Sequence, residues 1–407
     1  MSNVIDLLRN DFSTFAQRKF NAVDALILCE LSYINMPTHV PKYCDNPKNI
    51  STVSINELLR MENYSSMFAS GAPKVDKFRR KLLLAVASSP RYRGIRVGEY
   101  LERFDESNIN ESLEQQFAGV TFDLSNCEGI DNPHTLVVAY RGTDNTLVGW
   151  KEDFNMAFRC PVPAQESAAE YLTSVAQRYS KRYSNKNFFN KLFARFSKSS
   201  VDLQNNNSNI IVVGHSKGGN MAAYAAMRLD ATSQKLGDLV SKIYSMDGPG
   251  FASDVVDTSV FANVSSRIEK VVPQSAFIGL IMDTGVPYKV TTADSIGLMQ
   301  HFGMYWQVKN GDFDYCDCVT PRALAVSKAA NEWMMNLPFE ERKRRIDAAY
   351  KIFSNLGYPT FDEMSSHWSE VVPKLLKVAM HMDSKTHELI RSVMSAFALV
   401  GGSDKKS

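Results

Sequence analysis

Charge of one sign is what this chain most plainly lacks. Lys and Arg number 46 against 44 Asp and Glu, a net charge of +2 over 407 residues. The whole-chain balance therefore predicts no nucleic acid and no anionic surface as partner. Cysteine is sparse and scattered: Cys29, Cys44, Cys127, Cys160, Cys316 and Cys318. Only the last two are close, and a C-x-C pair without a second cluster lacks the spacing of zinc knuckles. Reduced thiols, with no metal and no cofactor, are the expectation. No apolar run is long enough to span a bilayer. The first twenty residues carry acidic and polar side chains throughout, unlike a signal peptide. The expectation is a soluble, cytoplasmic protein. No internal repeat is visible. What remains, 44% hydrophobic and 22% charged, is an ordinary globular composition.

The pattern along the chain predicts elements. Residues 20–36 place Val23, Ala25, Leu26, Leu28, Cys29 and Leu31 as a mostly buried helix. Ser54-Ile-Asn-Glu57 is a capping box that predicts another helix start. Residues 117–124 alternate, and Thr135-Leu-Val-Val-Ala-Tyr140 is a β-branched run; both read as strands. Residues 164–179 read as helix. Ile210-Ile-Val-Val213 is a fully apolar strand of the parallel-sheet kind. A glycine-rich turn and the helix former Asn220-Met-Ala-Ala-Tyr-Ala-Ala-Met-Arg228 follow. Further strands are expected at 243–246, 268–272 and 288–292. The alternation predicts an α/β fold with a mainly parallel sheet and helices on both faces. Beyond residue 320 only helical blocks appear, at 322–336, 339–355 and from 360, the last opened by a capping box, Thr360-Phe-Asp-Glu363. The expected organisation is one domain over 1–320 with an insertion near 181–209, a helical extension over 321–400 packed on or beside it, and a disordered tail over 401–407.

Chemistry concentrates at Gly214-His-Ser-Lys-Gly218. An apolar strand precedes this G-x-S-x-G and an alanine-rich helix follows it, the context of a nucleophile elbow. The glycines at 214 and 218 relieve the crowding around a serine held on a strained turn. The helix N-terminus and the Lys217 N–H then face a developing oxyanion. Ser216 is thus the candidate nucleophile.

A serine hydroxyl needs a base and the base an orienting acid, in the chain order Ser, acid, His. His301 follows the last expected strand, where such a base belongs. His367, His381 and His387 fall in the helical tail among charges, and His215 abuts Ser216 on the turn, a poor place for a base. Asp247, in Met246-Asp-Gly-Pro-Gly250, ends the strand after the elbow helix, at the carboxyl edge of the sheet, and is the first candidate acid. Glu269, Asp283 and Asp294, from later strand ends, stay open as alternatives. A second oxyanion donor is expected at Thr143, in Tyr140-Arg-Gly-Thr-Asp144, with Asp153 orienting it.

These segments resemble known enzymes. Val138 to Asp144 with Gly149-Trp-Lys-Glu-Asp153 looks like the strand and oxyanion segment of class 3 lipases. A closer resemblance is to a bacterial family of uncharacterised α/β-hydrolases called Mbeg-like. It rests on the block from Asp24 to Tyr33, Arg141-Gly-Thr-Asp144, Gly214-His-Ser-Lys-Gly-Gly-Asn220, Asp247-Gly-Pro-Gly-Phe251, Pro273-Gln-Ser-Ala-Phe-Ile-Gly279, Gln300-His301 and Trp306-Gln-Val308. The resemblance implies an α/β-hydrolase fold and a lipase-like hydrolase, with Ser216, Thr143 and His301 at functional positions. One departure stands out. Class 3 lipases carry an aspartate two residues before a Val-Pro pair; here that position is Lys270, with Glu269 alongside. The acid has moved to Asp247, or Glu269 serves, or the triad is incomplete.

Between 181 and 200 lie Lys181, Arg182, Lys186, Lys191, Arg195 and Lys198, with no acid, and Phe188, Phe189, Leu192, Phe193 and Phe196 on one helical face. Such a helix packs its aromatic face on the core, covers a lipid site as a lid, or lies on an anionic membrane. Two functions follow. One is a serine esterase or lipase that cleaves a small acyl ester or lipid. The other is a weak or inactive hydrolase scaffold that binds a lipid or protein partner. Acyl chain, head group and oligomeric state are not legible in the sequence.

Overall fold

A computed structural model of the chain describes residues 2–105, 115–144, 151–153, 155–194, 209–252 and 256–354. Side chains of 182–194 fall outside that description. The core is one nine-stranded sheet. Its strands in chain order are β1 (Thr52–Ser54), β2 (Arg96–Asp105), β3 (Gln115–Asp123), β4 (Thr135–Tyr140), β5 (Asn209–His215), β6 (Val240–Met246), β7 (Ile268–Pro273), β8 (Tyr288–Thr291) and β9 (Tyr315–Cys316). They lie side by side in that same order. From β4 through β8 every pairing is parallel. On the flanks β1, β2, β3 and β4 pair antiparallel, as do β8 and β9. The sheet is therefore mixed rather than mainly parallel. The reason is local: the connections from β2 to β3 and from β3 to β4 span fewer than twelve residues each, too short for the crossover that parallel strands need, so the chain returns antiparallel.

Alternation of side chains explains why both faces are apolar. Val137, Ala139, Ile211, Val213, Met246 and Val271 belong to one buried cluster with Leu26 and Leu28. Leu136, Val138, Tyr140, Ile210, Val212 and Ile243 belong to the other, with Leu172, Val175, Met221 and Ala225. The helices that cover them are α1 (Val4–Asn10), α2 (Ala22–Ser32) and α3 (Pro73–Ser88) on the first face, and α4 (Pro163–Ala194) and α5 (Lys217–Thr232) on the second. This is a mixed α/β architecture of three layers. The segments rich in β-branched residues fold as expected, each within a few residues of its predicted bounds. Helix α4 runs past the expected end at 179, so the start of the basic segment continues an existing helix. The rest of that segment, from 195, lies outside the described residues.

Three expectations changed. The capping box at Ser54 forms, with the Ser54 N–H donating to Glu57 at 3.0 Å, but it opens only one 3-10 turn, Ile55–Leu58. There the Ile55 N–H donates to the Ile95 carbonyl, which ties the turn to the start of β2. Helix α3 and strand β2 were not expected. The two helices after residue 320, Pro321–Met335 and Phe339–Ser354, are present. Asn331 exchanges hydrogen bonds with Met282 N–H and the Leu280 carbonyl, each at 2.7 Å, and Arg342 donates to the Ala157 carbonyl. These contacts hold the two helices against loops of the sheet. The expected block from 360 and the tail over 401–407 lie outside the described residues.

Helix α2 is buried along its whole length, so its two carboxyl groups, Asp24 and Glu30, need internal partners. Asp24 receives Arg91 Nε at 2.8 Å and Nη2 at 2.7 Å, and the Tyr92 hydroxyl. Arg91 also donates to the carbonyls of Thr14, Arg18 and Lys19, so one guanidinium fixes the segment leading into α2. Arg91→Ala is expected to leave Asp24 buried with too few donors and to lower unfolding free energy by about 3–5 kcal/mol. Urea unfolding at pH 7 measures this; a loss below about 1 kcal/mol contradicts it.

Candidate active site

The parallel strands bring their carboxyl ends to one edge, where sites of open α/β sheets form. β4 ends at Tyr140, β5 at His215, β6 at Met246, and the residues next in sequence are Arg141, Ser216 and Asp247. Register keeps these ends level: Tyr140 pairs with Gly214, and His215 with Met246.

Ser216 has φ 59° and ψ −132°, a combination outside the regions a residue with a side chain prefers. The turn is held by Ser216 N–H donating to the Met246 carbonyl at 2.9 Å and Gly219 N–H to the Ser216 carbonyl at 2.9 Å. A β-carbon at Gly214 would lie 2.0 Å from the Gly218 carbonyl oxygen, and one at Gly218 would lie 2.2 Å from that of Tyr140. The steric reason for both glycines is thus realised. Ser216 is the first residue before α5, and its side chain makes no cap. The opening N–H groups of α5 therefore lack a side-chain acceptor from this position.

His301 lies in a 3-10 turn, Gly297–His301, after β8. Its Nδ1 stands 2.6 Å from Asp247 Oδ2. Asp247 is buried, has φ 45°, and its Oδ1 accepts the Gly279 N–H at 3.1 Å. The carboxylate accepts at both oxygens. The His301 and His215 ring centroids are 4.6 Å apart, so His301 lies over the residue that precedes Ser216. The Gln300 side chain ties the turn down, accepting Ser275 N–H and donating to the Ser295 carbonyl. Trp306 Nε1 donates to the Gln300 carbonyl.

Two of the rival acids are engaged elsewhere, and the third is exposed. Glu269 sits inside β7 and pairs with Lys242 at 3.0 Å and Lys289 at 2.8 Å. Burial pushes its carboxyl up, but the two lysines prevail and hold it below the ordinary value. Asp283 is exposed and accepts Gly285 N–H within a turn. Asp294 is exposed beside the loop that carries His301. Lys270 is buried, and burial lowers its ammonium pKa against the pull of Asp283 and Asp247. His367, His381 and His387 lie outside the described residues.

On the β4 side, Thr143 donates its hydroxyl to Asp153. Gly142 packs directly against the elbow: a β-carbon there would lie 3.0 Å from Ser216 Cβ and 2.4 Å from the His215 carbonyl oxygen. The Lys217 side chain turns away into the core. Its Nζ donates to Glu152 at 2.9 Å and to Gln116 Oε1 at 3.1 Å, with Asp153 at 3.6 Å. Sequence reading did not single out Glu152, because its neighbour Asp153 carries the same charge and only burial separates the two. Asn220 was also unassigned. It accepts from Gln165 at 2.7 Å and donates to the Gly250 carbonyl at 2.6 Å, which locks α5 to the Asp247-Gly-Pro-Gly250 turn.

No group of three or more His, Cys, Asp or Glu among the described residues is placed to hold a metal ion. No described helix is long and apolar enough to cross a membrane.

Comparison with known proteins adds a family. The sequence pattern called Mbeg1-like matches residues 86–351, more than half of the chain. No curated protein is a significant match. Among solved structures, lipase II of Rhizopus niveus is 15% identical over 67% of this chain and 91% of that one, with a TM-score of 0.30. The lipase of Rhizopus microsporus var. chinensis is 15% identical over 70% and 89%, at 0.28. A Rhizomucor miehei lipase in complex with its propeptide is 12% identical over 78% and 91%, at 0.29. Likenesses of this size carry no argument about activity.

Desolvation pushes the Asp153 carboxyl from 3.8 up to about 6, against the opposing pulls of Lys217 and the Thr143 hydroxyl. The folded pKa exceeds the unfolded one, so ionisation in the fold is costly. That cost is absent below about 3.8, grows through the interval, and is complete above about 6. At about 1.4 kcal/mol per unit, and with the side chain 23% open to solvent, it amounts to roughly 2–3 kcal/mol. Asp153→Asn should therefore gain on the wild type by that amount as pH rises from 4 to 7 in urea unfolding. Parallel pH profiles for the two proteins contradict the assignment.

Proposed function

The chain belongs to the Mbeg1-like family, and within it we propose that this member is a serine hydrolase of the α/β-hydrolase fold, acting on a small acyl ester or lipid through a covalent acyl-enzyme. The observation that carries the reading is the 2.6 Å contact between His301 Nδ1 and Asp247 Oδ2 at the sheet edge that also bears the strained Ser216.

In this reading each group has one task. Asp247 accepts a hydrogen bond from His301 Nδ1–H, which leaves the lone pair on Nε2. His301 Nε2 takes the Ser216 hydroxyl proton as Oγ attacks the acyl carbonyl. The negative charge that develops on the carbonyl oxygen is met by the N–H groups of Lys217 and Thr143 and by the α5 N-terminus. His301 then returns the proton to the departing alcohol. Water, deprotonated by the same imidazole, releases the acid and restores Ser216. Nucleophile, base and acid all come from side chains, so the cycle draws on no metal or cofactor. Asp153 acts behind Thr143, fixing the end of β4 that would supply one donor.

The elbow geometry at Ser216 supports the nucleophile. The engagement of Glu269 with two lysines and of Asp283 with its own turn supports Asp247 over them as the acid. The domain reading follows from the same picture: residues 1–320 form the hydrolase unit, and the helices after 320 extend it.

Hydrolysis of short p-nitrophenyl esters and labelling by a fluorophosphonate probe test the assignment. Ser216→Ala is expected to abolish labelling and to lower kcat by about 10⁶, and Asp247→Asn by roughly 10⁴. Glu269→Gln, Asp283→Asn and Asp294→Asn should stay near wild-type, with folding checked by circular dichroism. A folded Ser216→Ala protein with unchanged turnover sinks the proposal. Collapse of one of the three rivals, with Asp247→Asn near wild-type, moves the acid to that residue.

A further inference from the structure

His215 is not an idle neighbour of Ser216. It is 4% exposed, and both ring nitrogens are engaged. Nε2 lies 2.7 Å from the backbone carbonyl of His301. A carbonyl only accepts, so Nε2 carries the proton. Nδ1 is then the bare nitrogen, and the Tyr33 hydroxyl, 3.0 Å away, donates to it. The two contacts fix one tautomer between them. Burial, with His301 alongside, keeps this ring far below the ordinary histidine pKa, so it stays neutral. Burial raises the Tyr33 hydroxyl out of reach of titration, so it stays a donor.

Tyr33 is itself anchored. The Arg79 guanidinium lies 4.2 Å from its ring centroid, and Arg79 Nε donates to Glu30 of α2 at 3.2 Å. Leu26 and Glu30 of the same helix pack against Gly303, two residues beyond His301. The end of α2 thus braces the His301 loop at two points. One is the direct contact at Gly303. The other runs from Tyr33 through His215 to the His301 carbonyl.

We propose that Tyr33 and His215 form a positioning pair that sets the His301 imidazole by holding its backbone carbonyl. The inference rests on the reading of His301 as the base. His215 has no free nitrogen to offer a substrate, so its effect is through His301 alone. The pair fixes the loop from the Ser216 side, while Asp247 fixes the ring from the other. A base held at two points keeps its Nε2 lone pair on the serine hydroxyl, and a displacement of about 1 Å at such a site costs on the order of 10² in rate.

The test uses His215→Phe, which keeps a ring and loses both hydrogen bonds, Tyr33→Phe, which frees the tautomer, and His215→Gln, whose amide offers a donor near the place of Nε2. Each is compared with wild type and with His301→Ala. The readouts are kcat and KM on p-nitrophenyl butyrate per active site titrated with the fluorophosphonate probe, and the rate of labelling itself. His215→Phe and Tyr33→Phe are expected to lower kcat per titrated site by about 10–10²-fold with KM within about twofold, and to slow labelling in parallel. His215→Gln should recover most of the rate. Counting per titrated site removes any loss due to unfolded protein. If His215→Phe keeps the wild-type rate per site, or if His215→Gln is as impaired as His215→Phe, the positioning role is wrong. The failure is separable from that of the function itself: His301→Ala at wild-type rate overturns the base assignment and the pair with it. His301→Ala inactive beside an unimpaired His215→Phe overturns the pair alone.

Discussion

The turn at Ser216 requires three backbone segments to approach more closely than side chains allow. β5 ends there, α5 begins there, and the end of β4 lies against both. Gly214, Gly218 and Gly142 occupy the contacts where a β-carbon would fall within about 3 Å of its neighbours. Once these segments are locked, Ser216 has little conformational choice, and its φ of 59° is imposed by the packing around it. Strain of this kind costs of order 1–3 kcal/mol and persists only where surrounding contacts overdetermine it. Here the parallel pairing of β4, β5 and β6 and the apolar packing of α5 supply those contacts.

From that turn the rest of the edge is organised outward. Asn220, one turn into α5, holds the Gly250 carbonyl and so carries the geometry of the elbow helix to the loop that starts at Asp247. Asp247 engages Gly279 N–H with one oxygen and His301 with the other, which links the loops after β6, β7 and β8. His215 closes the ring by holding the His301 carbonyl from the elbow itself. Each connection is 3.1 Å or shorter, those of Asn220 and Gly279 buried and those of His301 partly buried. The arrangement explains how a 3-10 turn far along the chain from Ser216 is brought to a defined place beside it.

What was legible in the sequence follows the range of the forces involved. Thr135–Tyr140 read as a strand because both its faces are buried, and its composition says so without knowledge of its neighbours. The elbow read clearly because its requirement is steric and local. Strand β2 did not: its outer half is polar and partly exposed, and its buried Glu99 is met by groups distant in sequence, Arg178 on α4 and the N–H groups of Cys44 and Ser51. The Ser54 capping box was present, yet the helix it opens stops after one 3-10 turn at Leu58. The pairing of Asp247 with His301 was one choice among four carboxylates, since only loop conformation distinguishes them. Glu152 was invisible for the same reason. Tyr33 lay in a block read as part of the family resemblance, ahead of the residues 86–351 that the family pattern matches, and disclosed no task.

Lys217 shows why residue type alone misleads at this edge. A lysine directly after the candidate nucleophile invites a role as a cation facing negative charge. Its ammonium instead lies in the core with Glu152 and Gln116, and burial of both ionic partners is tolerable because they meet each other and because Gln116 and the Ala164 N–H satisfy what is left. Its positive charge is cancelled within about 3 Å and offers little to an oxyanion. What remains at the surface of the turn is its backbone N–H, set at the positive end of α5. The side chain does a different service. By gripping Glu152 and lying near Asp153, it draws the segment that carries Asp153 toward the elbow, and Asp153 in turn holds Thr143 at the end of β4. In the proposed chemistry the two oxyanion donors, Lys217 N–H and Thr143 N–H, are therefore not independent. The buried lysine couples them, so the separation between the donors is set by a charge pair in the core rather than by the loop that bears one of them.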